Sequence, residues 1–173
     1  MKLKLNRKIK LIFTLGLVVL NISCDQISKT VVRQTIEPYE RINVYKDNFI
    51  LTKVENTGAA YSLGSDLGPI LKIVLLQVLP ILILLVLLRQ IIIKTEYSRP
   101  TIIGFACIIG GGIGNLFDRI IYGSVTDFLI IDIGIFKTEI FNMADVSIML
   151  GSILVLSVAL LDKKGSFFKE KMQ

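Results

Sequence analysis

The sequence predicts an all-α polytopic membrane protein: four transmembrane helices with a small extracytoplasmic β-sheet on the outer face. Three observations lead there. Hydrophobic residues make up 53% of the 173-residue chain and the mean hydropathy is +0.68, well above an ordinary soluble domain. The apolar residues fall in four runs, 9–28, 69–93, 100–121 and 141–161, each near the roughly 20 residues that cross a hydrocarbon core. Basic clusters mark one side of these runs, and strand-like segments lie on the other. A chain this short could not bury so much apolar surface in one compact soluble core.

The first run follows Lys2, Lys4, Arg7, Lys8 and Lys10. With Ile22-Ser23-Cys24 it imitates a lipoprotein signal peptide: a basic segment, an apolar stretch, then a small residue before cysteine. Asn21, where such a cleavage site prefers leucine, and the three further spans argue for a retained helix. The segment 29–68 then lies outside. Within it Arg41–Tyr45, a Lys46-Asp47-Asn48 turn and Phe49–Val54 carry the signals of a hairpin. The second run contains Pro80, which a membrane helix tolerates as a kink. Arg89, Lys94 and Arg99 flank the short connection 94–99.

The third run holds Gly110-Gly111-Gly112-Ile113-Gly114, costly in a helix interior unless a neighbour approaches closely. It is no phosphate loop, because the Lys-Ser/Thr ending and the preceding strand are missing. In the second outside segment, 122–140, Val125–Ile131 and Ile135–Ile140 read as another strand pair. Lys163, Lys164, Lys169 and Lys171 follow the fourth run. No repeat or linker divides the chain, so one membrane domain over residues 1–173 is expected.

The three basic clusters hold 12 of the 20 lysines and arginines in a chain of net charge +6. They alternate with segments where acids balance bases. This is the positive-inside pattern, not a nucleic-acid surface. It puts both termini and the 94–99 connection in the cytoplasm.

The chain has no histidine, which excludes Ser-His-Asp, Cys-His and His-ligated zinc chemistry. Cys24 and Cys107 are far apart in apolar surroundings and read as small core residues, not a disulfide or metal pair. Carboxylates, hydroxyls, lysine and backbone remain.

Polar residues inside the runs gather at one depth. Asp25 lies roughly 24 Å up the first run, Asn115 roughly 22 Å and Asp118-Arg119 roughly 27 Å up the third, and Asp145 about 6 Å below the outer end of the fourth. Lys29 and Asn142 mark the same boundary. Ionisable groups in spans are expensive and usually functional. The plainer alternative is that Asp25, Lys29, Asp118 and Arg119 only pair with one another, which leaves Asp127 and Asp145 unexplained. A proton- or ion-coupled transporter is a second alternative, but it needs a midplane site and a path inward. The inner halves of the second and fourth runs are almost wholly apolar. An accessory membrane protein has no use for two unpaired aspartates.

Five segments in order resemble the lipoprotein signal peptidases (signal peptidase II) of bacterial inner membranes. They are Asp25-Gln26-Ile27-Ser28-Lys29, Asn56-Thr57-Gly58-Ala59-Ala60, Gly110 to Arg119, Val125-Thr126-Asp127-Phe128 and Phe141-Asn142-Met143-Ala144-Asp145. Each is weak alone; five in order on four spans are specific. Thr126 departs from the family's common second valine, and Ile140 from its common proline. Both would act on loop shape or substrate grip, and neither is a carboxylate.

The resemblance implies an aspartic endopeptidase with Asp127 and Asp145 as catalytic residues. Asn56, Asn115, Arg119 and Asn142 would orient peptide and dyad, Gly58 and Gly111 would permit close backbone approach, and Asp25 with Lys29 would be structural. An i, i+4 Asp-Lys pair on one helix face suits that last role. Two close carboxylates share a proton, one acting as base toward water and the other as acid toward the carbonyl. The implied substrate is a prolipoprotein whose cysteine already carries diacylglyceryl, cut on the N-terminal side of that cysteine. No metal and no cofactor are implied. Membrane lipids are the other expected partners, with no nucleic acid, and the protein is expected to be a monomer. Its expected place is the bacterial cytoplasmic (inner) membrane, multi-pass, with the active site near the outer leaflet.

Overall fold

The computed structural model describes residues 7–59, 63–94 and 97–170, with side chains up to residue 161. Lys2, Lys4, Ala60 and Lys171 lie outside the described residues, as do the side chains of Lys163, Lys164 and Lys169. Among the described residues, four helices are long and apolar enough to cross a membrane. They are the first, Arg7–Thr35, the second, Pro69–Ile93, the third, Arg99–Ile121, and the fourth, Met143–Glu170, apolar to Leu161. Strands β1 (Ile42–Tyr45) and β2 (Phe49–Asn56) separate the first two helices, and β3 (Val125–Ile131) separates the last two.

The third helix is the hub and packs against the other three. Ser98 caps its start by accepting from the Thr101 amide at 3.4 Å, with Pro100 in the first turn; these residues suit an N-terminus because its first amides lack helical partners. Gly123, at φ +75°, takes the left-handed conformation just beyond its end, where glycine avoids the Cβ penalty. Ile109 and Ala106 of this helix meet Val18 of the first and Ile91 of the second in one apolar cluster. The second helix otherwise exposes its sides, Ile70, Leu82, Leu85 and Val86 among them, as a lipid-facing helix does. Buried Lys10 ties its C-terminal end to the first helix, donating to the carbonyls of Ile91 at 2.6 Å and Lys94 at 2.8 Å.

Several expectations are corrected. The first helix continues past the apolar run 9–28 to Thr35, and Lys29 faces the third helix, fully buried against carboxylates there. Before Pro80, residues Val74–Val78 widen into a π-helical turn; proline lacks an N–H and crowds the carbonyl four residues back, which a wider turn accommodates. Cys24 is exposed, not core. The inward stripe of the first helix is Val18, Asp25, Lys29 and Val32, and residue 24 falls off it. Both cysteines are free.

The sheet is antiparallel in the order β1-β2-β3. Residues 135–140 form no strand; they make only the isolated bridges Asp132 to Lys137 and, just beyond, Leu129 to Phe141. A tight turn prevents a second hairpin: Gly134 adopts φ +81°, its amide donates to Asp132, and Lys137 pairs with Asp132 at 3.3 Å. β3 pairs instead with β2, in the register Val54 to Asp127 and Asn56 to Val125, with an irregularity between Leu51 and Val54. Val32 of the first helix and Ile36 just beyond its end pack on Phe128, Leu51 and Leu129. That contact sets Asp127 beside the end of the bundle that carries the sheet.

Candidate active site

A buried ion cluster forms the base of the site. Lys29 Nζ lies 2.8 Å from Asp25 Oδ2 and 3.0 Å from Asp118 Oδ2, all three side chains being wholly shielded. Arg33 Nη2 meets the other Asp118 oxygen at 2.9 Å. Gln26 donates to both carboxylates, at 3.0 and 3.1 Å. Buried charge is tolerable only when paired and hydrogen-bonded, and two carboxylates facing two cations meet that condition. Asp25 Oδ1 also accepts from the Ala144 amide at 2.9 Å, so the cluster grips the first turn of the fourth helix.

That turn has a capping-box arrangement. The Asp145 amide donates to Asn142 Oδ1 at 3.0 Å, and the Asn142 amide donates to Asp145 Oδ2 at 3.1 Å. An Asn-x-x-Asp spacing at a helix start satisfies two orphan donors reciprocally, and it fixes the Asp145 carboxyl. Asn142 Nδ2 then donates to Asp127 Oδ1 at 2.6 Å and to Asn115 Oδ1 at 3.2 Å. Asn142 therefore touches both aspartates. Asn115 Oδ1 also accepts from Lys29 at 2.9 Å, which orients the amide so that Nδ2 donates to Asp145 Oδ1 at 2.9 Å.

Asp127 is held from the far side as well. Asn56 Nδ2 donates to its Oδ2 at 3.0 Å, while Asn56 Oδ1 accepts from the Gly58 amide at 2.9 Å. Arg119 Nη2 donates to the Gly58 carbonyl at 3.1 Å, bracing this turn against the third helix. Burial, the dominant cause, lifts the Asp127 carboxyl to about 6; Asp145 adds to the rise, and the Asn56 and Asn142 hydrogen bonds oppose it. Among the described residues neither Asp127 nor Asp145 joins an ion pair. Both line a cavity of about 300 Å³ whose wall includes Asn56, Asn115, Arg119 and Asn142.

Two glycines are required by contact. A Cβ at Gly111 would run into the Ala144 carbonyl beneath Asp145, and one at Gly114 would lie 2.5 Å from Asp25 Oδ2. The simple pairing of Asp118 with Arg119 is not what forms. Asp118 takes Lys29 and Arg33, and Arg119 turns to Gly58 with its Nε buried and, among the described residues, without a hydrogen-bond partner.

Arg33, Gln26, Glu55 and Glu139 also join the site, none of them singled out by the sequence alone; for Arg33 a signal exists. Arg33 Nε donates to Thr126 Oγ1 at 2.8 Å, and Thr126 Oγ1 donates in turn to Glu55 Oε1 at 2.8 Å. Its signal was helical spacing: residues 25, 29 and 33 share one face. The Thr126 departure thus has a structural partner set. Glu55 and Glu139 carried no such signal, since their roles come from strand pairing and a loop.

Comparison with known proteins follows the same lines. The family described as signal peptidase (SPase) II matches residues 17–161. A lipoprotein signal peptidase of Neisseria gonorrhoeae is 38% identical over 142 residues, 82% of this chain and 85% of that one. One of Francisella tularensis subsp. novicida is 31% identical over 150 residues, 87% of this chain and 92% of that one. Two solved bacterial membrane enzymes, at 2.3 and 1.9 Å, superpose with TM-scores of 0.80 and 0.76 at 26% and 28% identity. They cover 88% and 86% of this chain, and 90% and 92% of their own. Matched from within its first helix to the apolar end of its fourth, the chain is a peptidase of the signal peptidase II family.

Proposed function

We propose that this peptidase is a membrane-embedded aspartic enzyme that removes the signal peptide from diacylglyceryl-modified prolipoproteins, cutting just before the lipidated cysteine. The observation that carries the reading is Asn142, one residue donating to Asp127 at 2.6 Å and to Asp145 at 3.1 Å across a single cleft. Relatives named lipoprotein signal peptidase support the substrate class.

In this reading the pair enters the cycle with one proton, and Asp127, with its carboxyl lifted to about 6, is the partner that keeps it. Asp145 takes a proton from water as the water oxygen bonds to the scissile carbonyl carbon. Asp127 gives its proton to the carbonyl oxygen. Collapse breaks the C–N bond: the proton on Asp145 passes to the cysteine nitrogen, and a hydroxyl proton returns to Asp127. Asn56, Asn115, Arg119 and Asn142 orient the pair. Gly58 and Gly111 allow close backbone approach, and Asp25 with Lys29 steadies the fourth helix. The enzyme sits in the bacterial inner membrane as a monomer among lipids, with both termini cytoplasmic and its cleft near the outer leaflet.

The test uses purified protein and one lipobox precursor with and without diacylglyceryl. Only the lipidated form should release its signal peptide at a useful rate, because each buried CH₂ adds about 0.8 kcal/mol of membrane hold and remote binding can orient the reacting bond. Asp127→Asn and Asp145→Asn should each abolish release, the double variant being no worse. Near-normal cleavage by either single variant would remove the dyad. Equal cutting of the unlipidated precursor would remove the substrate assignment.

A further inference from the structure

A second cavity, of about 530 Å³, adjoins the cleft and has a different chemical character. Tyr39, Arg41, Thr52, Lys137, Thr138 and Glu139 line it with hydroxyls and charges of both signs. The two cavities adjoin on two counts. Glu139 and Ile140 belong to both walls. Val54, in the outer cavity, is the strand partner of Asp127, in the inner one. The irregularity between Leu51 and Val54 lies at this junction, and such a bulge bends a strand.

We infer that the outer cavity seats the substrate's polypeptide beyond the scissile bond, the residues that follow the lipidated cysteine, in extended form. The inference rests on the peptidase reading of the inner cleft. It follows from how the two arms of such a substrate must divide. The inner cleft has an apolar side, Phe141, Ile148 and Met149, suited to the signal peptide and lipid. The chain after the cysteine is bound for water, and the outer cavity, the more polar of the two, adjoins the cleft that holds the dyad. Thr52 to Asn56 spans about 13 Å of strand at roughly 3.3 Å per residue, room for about four extended residues. Lys137 already pairs with Asp132, and Arg41 and Glu139 have opposite signs. The groove therefore presents hydrogen-bonding groups to a main chain and does not select one charge.

The experiment compares two lipidated precursors with the same signal peptide, one ending in an amide directly after the cysteine and one continuing for about eight residues. The wild-type enzyme should prefer the longer by about tenfold in kcat/KM. Thr52→Trp, from the floor, and Lys137→Trp, from the exposed rim, should each shrink that preference below about threefold. The ratio is taken within each protein, so loss of folded enzyme cancels, and the rim variant carries the test if the floor variant does not fold. Equal cleavage of both precursors by the wild type overturns the inference and leaves the peptidase reading standing. A length preference unchanged in both variants also overturns it. Cleavage of neither precursor overturns the peptidase reading and the groove with it.

Discussion

Asp127 lies in a strand, outside the four helices, yet it is nearly closed off from solvent, and that shapes its acid chemistry. With its carboxyl lifted to about 6, it is mostly protonated below pH 6 and mostly ionised above. The proposed cycle needs that proton, so kcat/KM should fall above about pH 6, approaching tenfold per pH unit where the ionised form dominates. The falling limb belongs to the pair rather than to one side chain. A rate that is flat from about pH 5 to 8 would contradict the assignment of Asp127 as proton holder. Both aspartates were legible in the sequence as carboxylates without an obvious cation. Their common donor, Asn142, was legible only as a motif member. A linear chain does not show that one amide faces residues 127 and 145 together.

The elements show the same division. Asn142-Met143-Ala144-Asp145 carries its capping spacing openly, and the structure uses it to fix Asp145 at the helix start. The β2–β3 pairing is not visible that way, because strand propensity does not name a partner and residues 135–140 looked as eligible as β2. Thr126 shows what the pairing does. Its hydroxyl accepts from Arg33 of the first helix and donates to Glu55 of β2, joining three elements next to Asp127. Thr126→Val should leave both partners short of a hydrogen bond and cost about 1–3 kcal/mol, read as a lowered unfolding midpoint in detergent. A midpoint within error of wild type would mean that water replaces the hydroxyl.

For the molecule as a whole, orientation is the property most open to test. The positive-inside pattern predicts that reporters fused at either terminus or in the 94–99 connection read cytoplasm, and that one at Asp47 reads outside. A cytoplasmic signal at Asp47 would put the cleft on the wrong side for an exported substrate. The fold supports the prediction in kind. The three strands and the cleft lie at one end of the bundle, and Lys10 with the end of the second helix lies at the other.

The solvent, the number of helices, the basic asymmetry and the absence of histidine are all read from the linear chain. These depend on composition and on runs of about 20 residues, which a linear chain displays. Tertiary structure alone decided which charges cancel and which do not. Lys29 and Arg33 settle on Asp25 and Asp118 because the first and third helices pack with those faces together. Among the described residues Asp127 and Asp145 join no ion pair, because a strand and a helix start converge on asparagine amides instead. Burial lifts a carboxyl toward neutrality, and burial is a property of the packed molecule, not of the chain.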